Sequence, residues 1–225
     1  HFATNQSCLL DFAAWFLDDG NLGGDIADIA TTVAFLIAEG PSIGLELNID
    51  KCEAICMDAS WLAGTPMAAM THRLPSSFTL LGGAVGDPSF VAAHVGSVVA
   101  KAASRMEFIA NMPNRHEALT LLRYSVVGIP TFFARSNGCV EAPLGVFHAS
   151  LLHTFAAVVA PVPPEAHVQL ELPTRLSGFG LRDPRTYASL SAVCSIAAAT
   201  PQLGLVCSIV DRLPLDALLE SSLAC

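Results

Sequence analysis

Trp15-Phe16-Leu17-Asp18-Asp19-Gly20 is the stretch whose reading decides the fold. An apolar run, Phe12 to Leu17, leads into two adjacent carboxylates, and Asn21-Leu22-Gly23-Gly24 follows them. The pattern predicts a strand, a two-residue acidic turn and a second short strand, because Asp, Asn and Gly tolerate the positive φ that hairpin turns demand. Carboxylates held this close repel each other. A divalent cation relieves the repulsion, and hard ions such as magnesium take oxygen ligands. Such a tip suits phosphoryl or nucleotidyl transfer, in which two metal ions roughly 3.5 to 4 Å apart activate the attacking oxygen and stabilise the leaving one. An ordinary solvated turn carries the same signature, so the flanking sequence must decide between them.

Immediately downstream, Asp25 reads as an N-cap with Asp28 three residues on, and Ile26, Ile29, Ala30, Val33 and Ile37 recur at helical spacing until Gly40-Pro41. Leu45, Leu47 and Ile49 alternate with Glu46 and Asn48 as in a half-buried strand, and a second strand is expected through Ala54 to Met57. Lys51, directly after the alternating run, is the single cation of residues 1–60. Residues 59–77 carry Gly64, Pro66, Pro75, Ser76 and Ser77 and read as a loop, with His72 and Arg73 solvated. Phe78 to Gly86 is a short apolar strand running into glycines, which let a backbone pass close to another molecule.

From Asp87 the periodicity becomes helical. Asp87-Pro88 starts a helix with the apolar face Val91, Val95, Val98, Val99, Ala102, Met106 and Ile109, stopped by Asn111-Met112-Pro113. Asn114 with Glu117 opens a second helix through Leu119, Leu122 and Val126 to Gly128-Ile129-Pro130. A third is expected over Leu144 to Val159, before Pro161-Val162-Pro163-Pro164. Asp183-Pro184 starts another, to about Ala199, with Pro201 breaking it, and a last helix is expected over Leu213 to Leu223. His116, His148, His153 and His167 lack partners at metal spacing and read as core or surface residues, and Cys52 and Cys56 read as packing.

Composition narrows the class. An apolar content of 52% over 225 residues is ample for a sizeable core and for one large domain or two small ones. No eighteen-residue apolar run is free of charge, His, Pro or Gly, which argues against a membrane span or a signal peptide. Seven cysteines without paired zinc spacing suit reduced thiols in an intracellular protein, in nucleus or cytoplasm. The net charge of −9 is wrong for a free-standing nucleic-acid clamp. It is concentrated, however: residues 1–60 hold ten acids against Lys51, and residues 61–225 balance ten acids with ten cations.

Three motifs in register, the acidic hairpin, Ile43-Gly44-Leu45-Glu46-Leu47-Asn48-Ile49-Asp50-Lys51-Cys52-Glu53 and Phe78-Thr79-Leu80-Leu81-Gly82-Gly83-Ala84-Val85-Gly86, resemble the later palm motifs of reverse transcriptases, especially those of non-LTR retrotransposons. The segment Leu172-Pro173-Thr174-Arg175-Leu176-Ser177-Gly178-Phe179-Gly180-Leu181 resembles a stretch found after the thumb in those elements, with Ser177 and Phe179 departing from its commonest form. RNA-dependent RNA polymerases share the acidic hairpin but carry glycine before the two aspartates, where this chain has Leu17.

The resemblance implies an α+β fold: the C-terminal half of a polymerase palm over 1–86, a helical thumb-like region over 87–165, and a helical extension over 166–225. It implies Asp18 as the principal metal ligand, Asp19 as a second acid, and two magnesium ions, with manganese as a substitute. Lys51 becomes the general acid for the pyrophosphate leaving group, and Leu81, Gly82 and Gly83 become part of the primer grip. Lys101, Arg105 and Arg123, with Arg115 and Arg135, fall on the polar faces a thumb turns to the template–primer backbone. The implied partners are an RNA template, a DNA primer, deoxynucleoside triphosphates, and the fingers and earlier palm of the same polypeptide, with no membrane. Because the family's other essential aspartate lies in an earlier motif, the chain reads as a fragment that is inactive alone. Two alternatives stand beside this: a decayed or co-opted relative serving as an interaction module, and an unrelated magnesium-dependent hydrolase in which Asp11 or Asp25 approaches Asp18.

Overall fold

The computed structural model describes residues 10–203 and is α+β, predominantly helical with small sheets. Its compact units divide between Phe78 and Thr79, and the end of the last helix, from Ala198, groups with the first unit.

The first unit opens with the hairpin of β1 (Leu10–Phe16) and β2 (Asp19–Gly24), antiparallel, with Phe16 opposite Asp19 and Trp15 opposite Gly20. Helix α1 (Ile26–Glu39) follows, capped by Asp25, whose carboxylate accepts from the amide of Ala27 at 2.9 Å. Its face Ile26, Ile29, Ala30 and Val33 packs with Ala54, Leu62 and Met67, while Ile37, expected on that stripe, is exposed. The apolar window Ile26–Ile43 has a mean hydropathy of 1.4, but Asp28 and Glu39 fall inside it and the regular helix spans only its first 14 residues. Gly40 is buried where the chain turns back, and the carbonyl of Leu45 would lie 2.6 Å from any β-carbon there. Only glycine leaves room for that approach.

The strand expected over Leu45 to Ile49 does not form. Leu45, Leu47 and Ile49 do alternate in burial with exposed Glu46 and Asn48, yet no neighbouring strand pairs with them among the described residues, and Ile49–Lys51 closes into a 3₁₀ turn. Instead β3 (Glu53–Ile55) pairs in parallel with β4 (Thr71–Arg73), inside the stretch read as loop. The connection between them contains a 3₁₀ turn over Ala59–Leu62, as a parallel pair requires a crossover rather than a hairpin. The pairing gives His72 and Arg73 partners: His72 Nε2 lies 2.9 Å from the carbonyl of Cys56, and Arg73 pairs with Glu53 at 3.0 Å. Neither is merely solvated.

The chain crosses into the second unit within the hairpin of β5 (Ser77–Leu80) and β6 (Gly83–Gly86). Long helices α2 (Pro88–Ala110) and α5 (Glu141–Val158) form the spine of this unit. Val95, Val99, Ala102, Met106 and Ile109 of α2 are buried, as the 3.6-residue periodicity requires, against Phe147, Leu151, Phe155 and Val158 of α5. Helix α3 (Arg115–Leu121) begins with a capping-box-like pair: the Asn114 side-chain oxygen accepts from the backbone amides of His116 and Glu117, and its side-chain amide, rather than its backbone N–H, donates to the Glu117 carboxylate at 2.8 Å. It runs into a π-helical turn, Leu122–Val126, rather than one regular helix. Pro130, read as a stop, is instead at the start of α4 (Ile129–Asn137), where its missing N–H costs nothing. Short α6 (His167–Glu171) and the part of α7 (Pro184–Leu203) up to Ala197 complete the unit. Pro201 lies inside α7 rather than ending it, and the expected helix at 213–223 is outside the described residues. Leu170 and Leu181 join the α2–α5 core, so residues 166–197 pack as part of this unit.

Candidate functional site

The β1–β2 turn is Leu17-Asp18, one residue earlier than the acidic pair expected from sequence, and Asp19 is the first residue of β2. Leu17 adopts φ 57 and is 86% exposed. With a positive φ at the first turn position alone, the geometry matches a type II′ rather than a type I′ turn. A leucine in that region is strained, and such strain persists only where the surroundings over-determine it, as at functional sites. Asp18 and Asp19 are both exposed. One support of the tip is the Trp15 indole, which lies over Gly20 on the opposite strand so closely that a β-carbon there would sit 2.5 Å from the ring.

The donor set fits magnesium in kind, since both groups are hard, solvent-facing oxygens. In number it is partial: among the described residues no three His, Cys, Asp or Glu side chains gather into a metal-holding group. Asp11 is at the bulge near the open end of the hairpin and Asp25 follows β2 at that same end. At about 3.3 Å per residue, each is roughly 20 Å along the strands from the tip. The third acid that the hydrolase alternative expects at Asp18 is not supplied by either.

Lys51 ends the 3₁₀ turn Ile49–Lys51, which Asn48 enters in an extended conformation, and is exposed. The neighbouring thiols point into backbone: Cys52 Sγ donates to the carbonyl of Asn48 at 3.2 Å and Cys56 Sγ to that of Asp58 at 3.4 Å, and burial pushes the Cys52 thiol pKa up. Asp18, Asp19 and Lys51 therefore belong to the first unit, whereas Leu81, Gly82 and Gly83 belong to the second.

In the second hairpin the turn is Leu81-Gly82, with φ 48 and 84, the two positive values of a type I′ turn. Leu81 is 57% exposed, while Gly83 and Ala84 are buried. Side chains missed in the sequence reading hold it: His94 Nε2 lies 3.1 Å from the carbonyl of Gly82, and Asn137 Nδ2 donates to that of Ala84 at 2.6 Å.

Of the cations on the helical unit, Lys101 and Arg105 are exposed on one face of α2. Arg105 lines an open groove of about 380 Å³ with Ser104, Phe108, Ile109, Leu121 and Ser125. Arg123, in the π turn, sits 5.6 Å from the ring centroid of Tyr124, itself 79% exposed. Arg115 is committed elsewhere, donating to the carbonyls of Ala157 and Val158 at 2.8 and 2.7 Å and so capping α5. His148, read from sequence as a core or surface histidine, is largely buried and pairs with Asp183 at 2.8 Å. Neither a protein-family model, nor a curated protein, nor a solved structure matches this chain.

Proposed function

We propose that the chain is the later palm and thumb portion of an RNA-directed DNA polymerase, working with fingers and an earlier palm aspartate of the same polypeptide. The observation that carries this reading is the strained, exposed Leu17-Asp18 turn with Asp19 beside it, an acidic tip held out to solvent by a hairpin. It is followed in order by the Lys51 motif and a second strained hairpin turn at Leu81-Gly82.

Asp18 and Asp19 are the residues that would hold magnesium, which when bound lowers the pKa of the primer's 3′-hydroxyl and neutralises charge on the triphosphate. The primer 3′-oxygen, giving up its proton to solvent, would bond to the α-phosphorus of the incoming nucleotide as the bond from that phosphorus to the bridging oxygen breaks and pyrophosphate leaves. Lys51 gives its ammonium proton to the departing pyrophosphate, a general-acid role typically worth about 10² to 10⁴ in rate. Lys101, Arg105 and Arg123 contact template–primer phosphates, which fix register without reading sequence. The −9 charge of residues 1–60 suits a metal site and not a duplex-binding face, so duplex affinity falls to the helical unit and to the rest of the polypeptide.

The test is magnesium-dependent primer extension on an RNA template by the chain joined to its upstream reading frame, beside Asp18→Ala. Extension that disappears in Asp18→Ala is the expected result, with the 225 residues alone inactive. A soluble, folded parent that extends nothing would overturn the reading in favour of a co-opted interaction module.

A further inference from the structure

The Leu81-Gly82 turn is anchored to helices rather than carried by its own strands. Both turn residues have positive φ, and an exposed leucine does not keep such a conformation unless its neighbours enforce it. The neighbours are specific. The Gly82 carbonyl only accepts, so His94 Nε2, 3.1 Å away, carries the proton. The Ala84 carbonyl accepts from Asn137 Nδ2 at 2.6 Å. Phe132 lies 3.9 Å from the place a Gly82 side chain would take, and Ser136 lies 3.5 Å from the corresponding place at Gly83. The His94 ring is itself held between Phe90 and Phe133, at centroid distances of 6.4 and 6.0 Å. Two donors, one from α2 and one from α4, thus fix nearby carbonyls on one arm of the hairpin and leave the Leu81 side chain projecting.

We propose that His94 and Asn137 are positioning residues, which lock the Leu81-Gly82 tip onto the helical unit so that the tip and the thumb-like helices meet the primer's 3′ end as one rigid body. This rests on the polymerase reading. A rigid tip binds the primer without the entropy loss of ordering a loop, so its contribution is to primer affinity rather than to the chemical step.

The test has two arms. In the 225-residue chain, backbone amides from Gly82 to Val85 exchange about tenfold faster in His94→Leu and in Asn137→Ala, with amides of the α2–α5 core unchanged. His94→Gln, which restores an amide donor, returns exchange to the parent rate. In the polymerase joined to its upstream reading frame, the same variants raise the primer–template KM about tenfold with little change in kcat, and His94→Gln again rescues. If His94→Leu does not fold, Asn137→Ala carries both arms. Unchanged exchange overturns the anchoring. Faster exchange with an unaltered primer KM overturns the positioning role and leaves the polymerase reading standing. Absence of extension from the unsubstituted parent overturns the polymerase reading, and the primer role with it.

Discussion

Nδ1 of His148 lies 2.8 Å from Oδ2 of Asp183, tying α5 to the residue that caps α7. Arg185 closes on the same carboxylate, at 2.7 Å from its terminal nitrogen and 3.1 Å from Nε. Burial pushes the Asp183 carboxyl up, but hydrogen bonds from the Arg185 side chain and backbone and from His148 outweigh it, bringing the pKa from 3.8 down to about 2. A carboxylate depressed on folding stabilises above its unfolded pKa, and that stability is lost as the pH falls through the folded value. The clip is therefore intact above about pH 4 and lost towards pH 2, for roughly 2 kcal/mol. Thermal melts should show Asp183→Asn lowering the Tm at neutral pH while flattening its dependence between about pH 4 and pH 2. An Asp183→Asn variant that keeps the parent's acid limb would refute this assignment.

At the acidic hairpin, Gly20→Ala must displace the Trp15 indole, since the ring occupies the space of the new methyl group. In a Trp61→Phe background Trp15 is the single tryptophan, and excitation selective for indole over tyrosine reports it alone. Its emission should move to longer wavelength in Gly20→Ala as the ring swings out, and under the polymerase reading nucleotide incorporation should fall with it. An unmoved spectrum would mean the indole does not lie over Gly20.

Leu81→Asn should stabilise the second hairpin, because Asn-Gly is the preferred type I′ pair and leucine pays about 1 to 2 kcal/mol for a left-handed conformation. Denaturant unfolding should report about 1 kcal/mol of gain. Under the polymerase reading the same substitution weakens primer binding by removing the projecting side chain, so stability and activity move in opposite directions. A gain in both would argue that Leu81 touches nothing.

Gly40→Ala places a methyl group against the carbonyl of Leu45, a backbone atom with little freedom to retreat. Unfolding of the first unit should be easier by about 1 to 3 kcal/mol. The displacement passes along residues 45–50 to Lys51, so under the polymerase reading nucleotide incorporation should fall more steeply than the stability loss alone explains. Unchanged stability would show that the turn opens without cost.

What was legible in the sequence followed from periodicity and caps. The α2 face from Val91 to Ile109, the Asp25 cap and the Asn114–Glu117 box each express a local rule, and each appears where that rule puts it. Non-local pairing left no such trace. Strands of three residues, Glu53–Ile55 and Thr71–Arg73, are too short to alternate, and the run from Leu45 to Ile49 alternates without a partner strand among the described residues. The acidic turn slipped by one residue because propensity puts Asp18-Asp19 at the tip, whereas the chain places a leucine there against its own preference. Asp183 was readable as a cap, but nothing in the sequence announced that His148 and Arg185 would converge on its carboxylate.

The two units differ in how much holds them together. Among the described residues, the buried apolar side chains of the hairpin-bearing unit form a small cluster around Val33, Ala54, Leu62 and Met67, against the extended Val95–Leu181 core of the helical unit. Opening free energies follow buried apolar contact, so the acidic hairpin belongs to the part that melts first. Circular dichroism at the helical wavelengths reports mainly the other part. A preparation can keep most of its helical spectrum, losing chiefly the share of α1, after the Asp18 tip has unravelled, and a protease will then trim the N-terminal residues and leave a stable helical remnant beginning near Thr79.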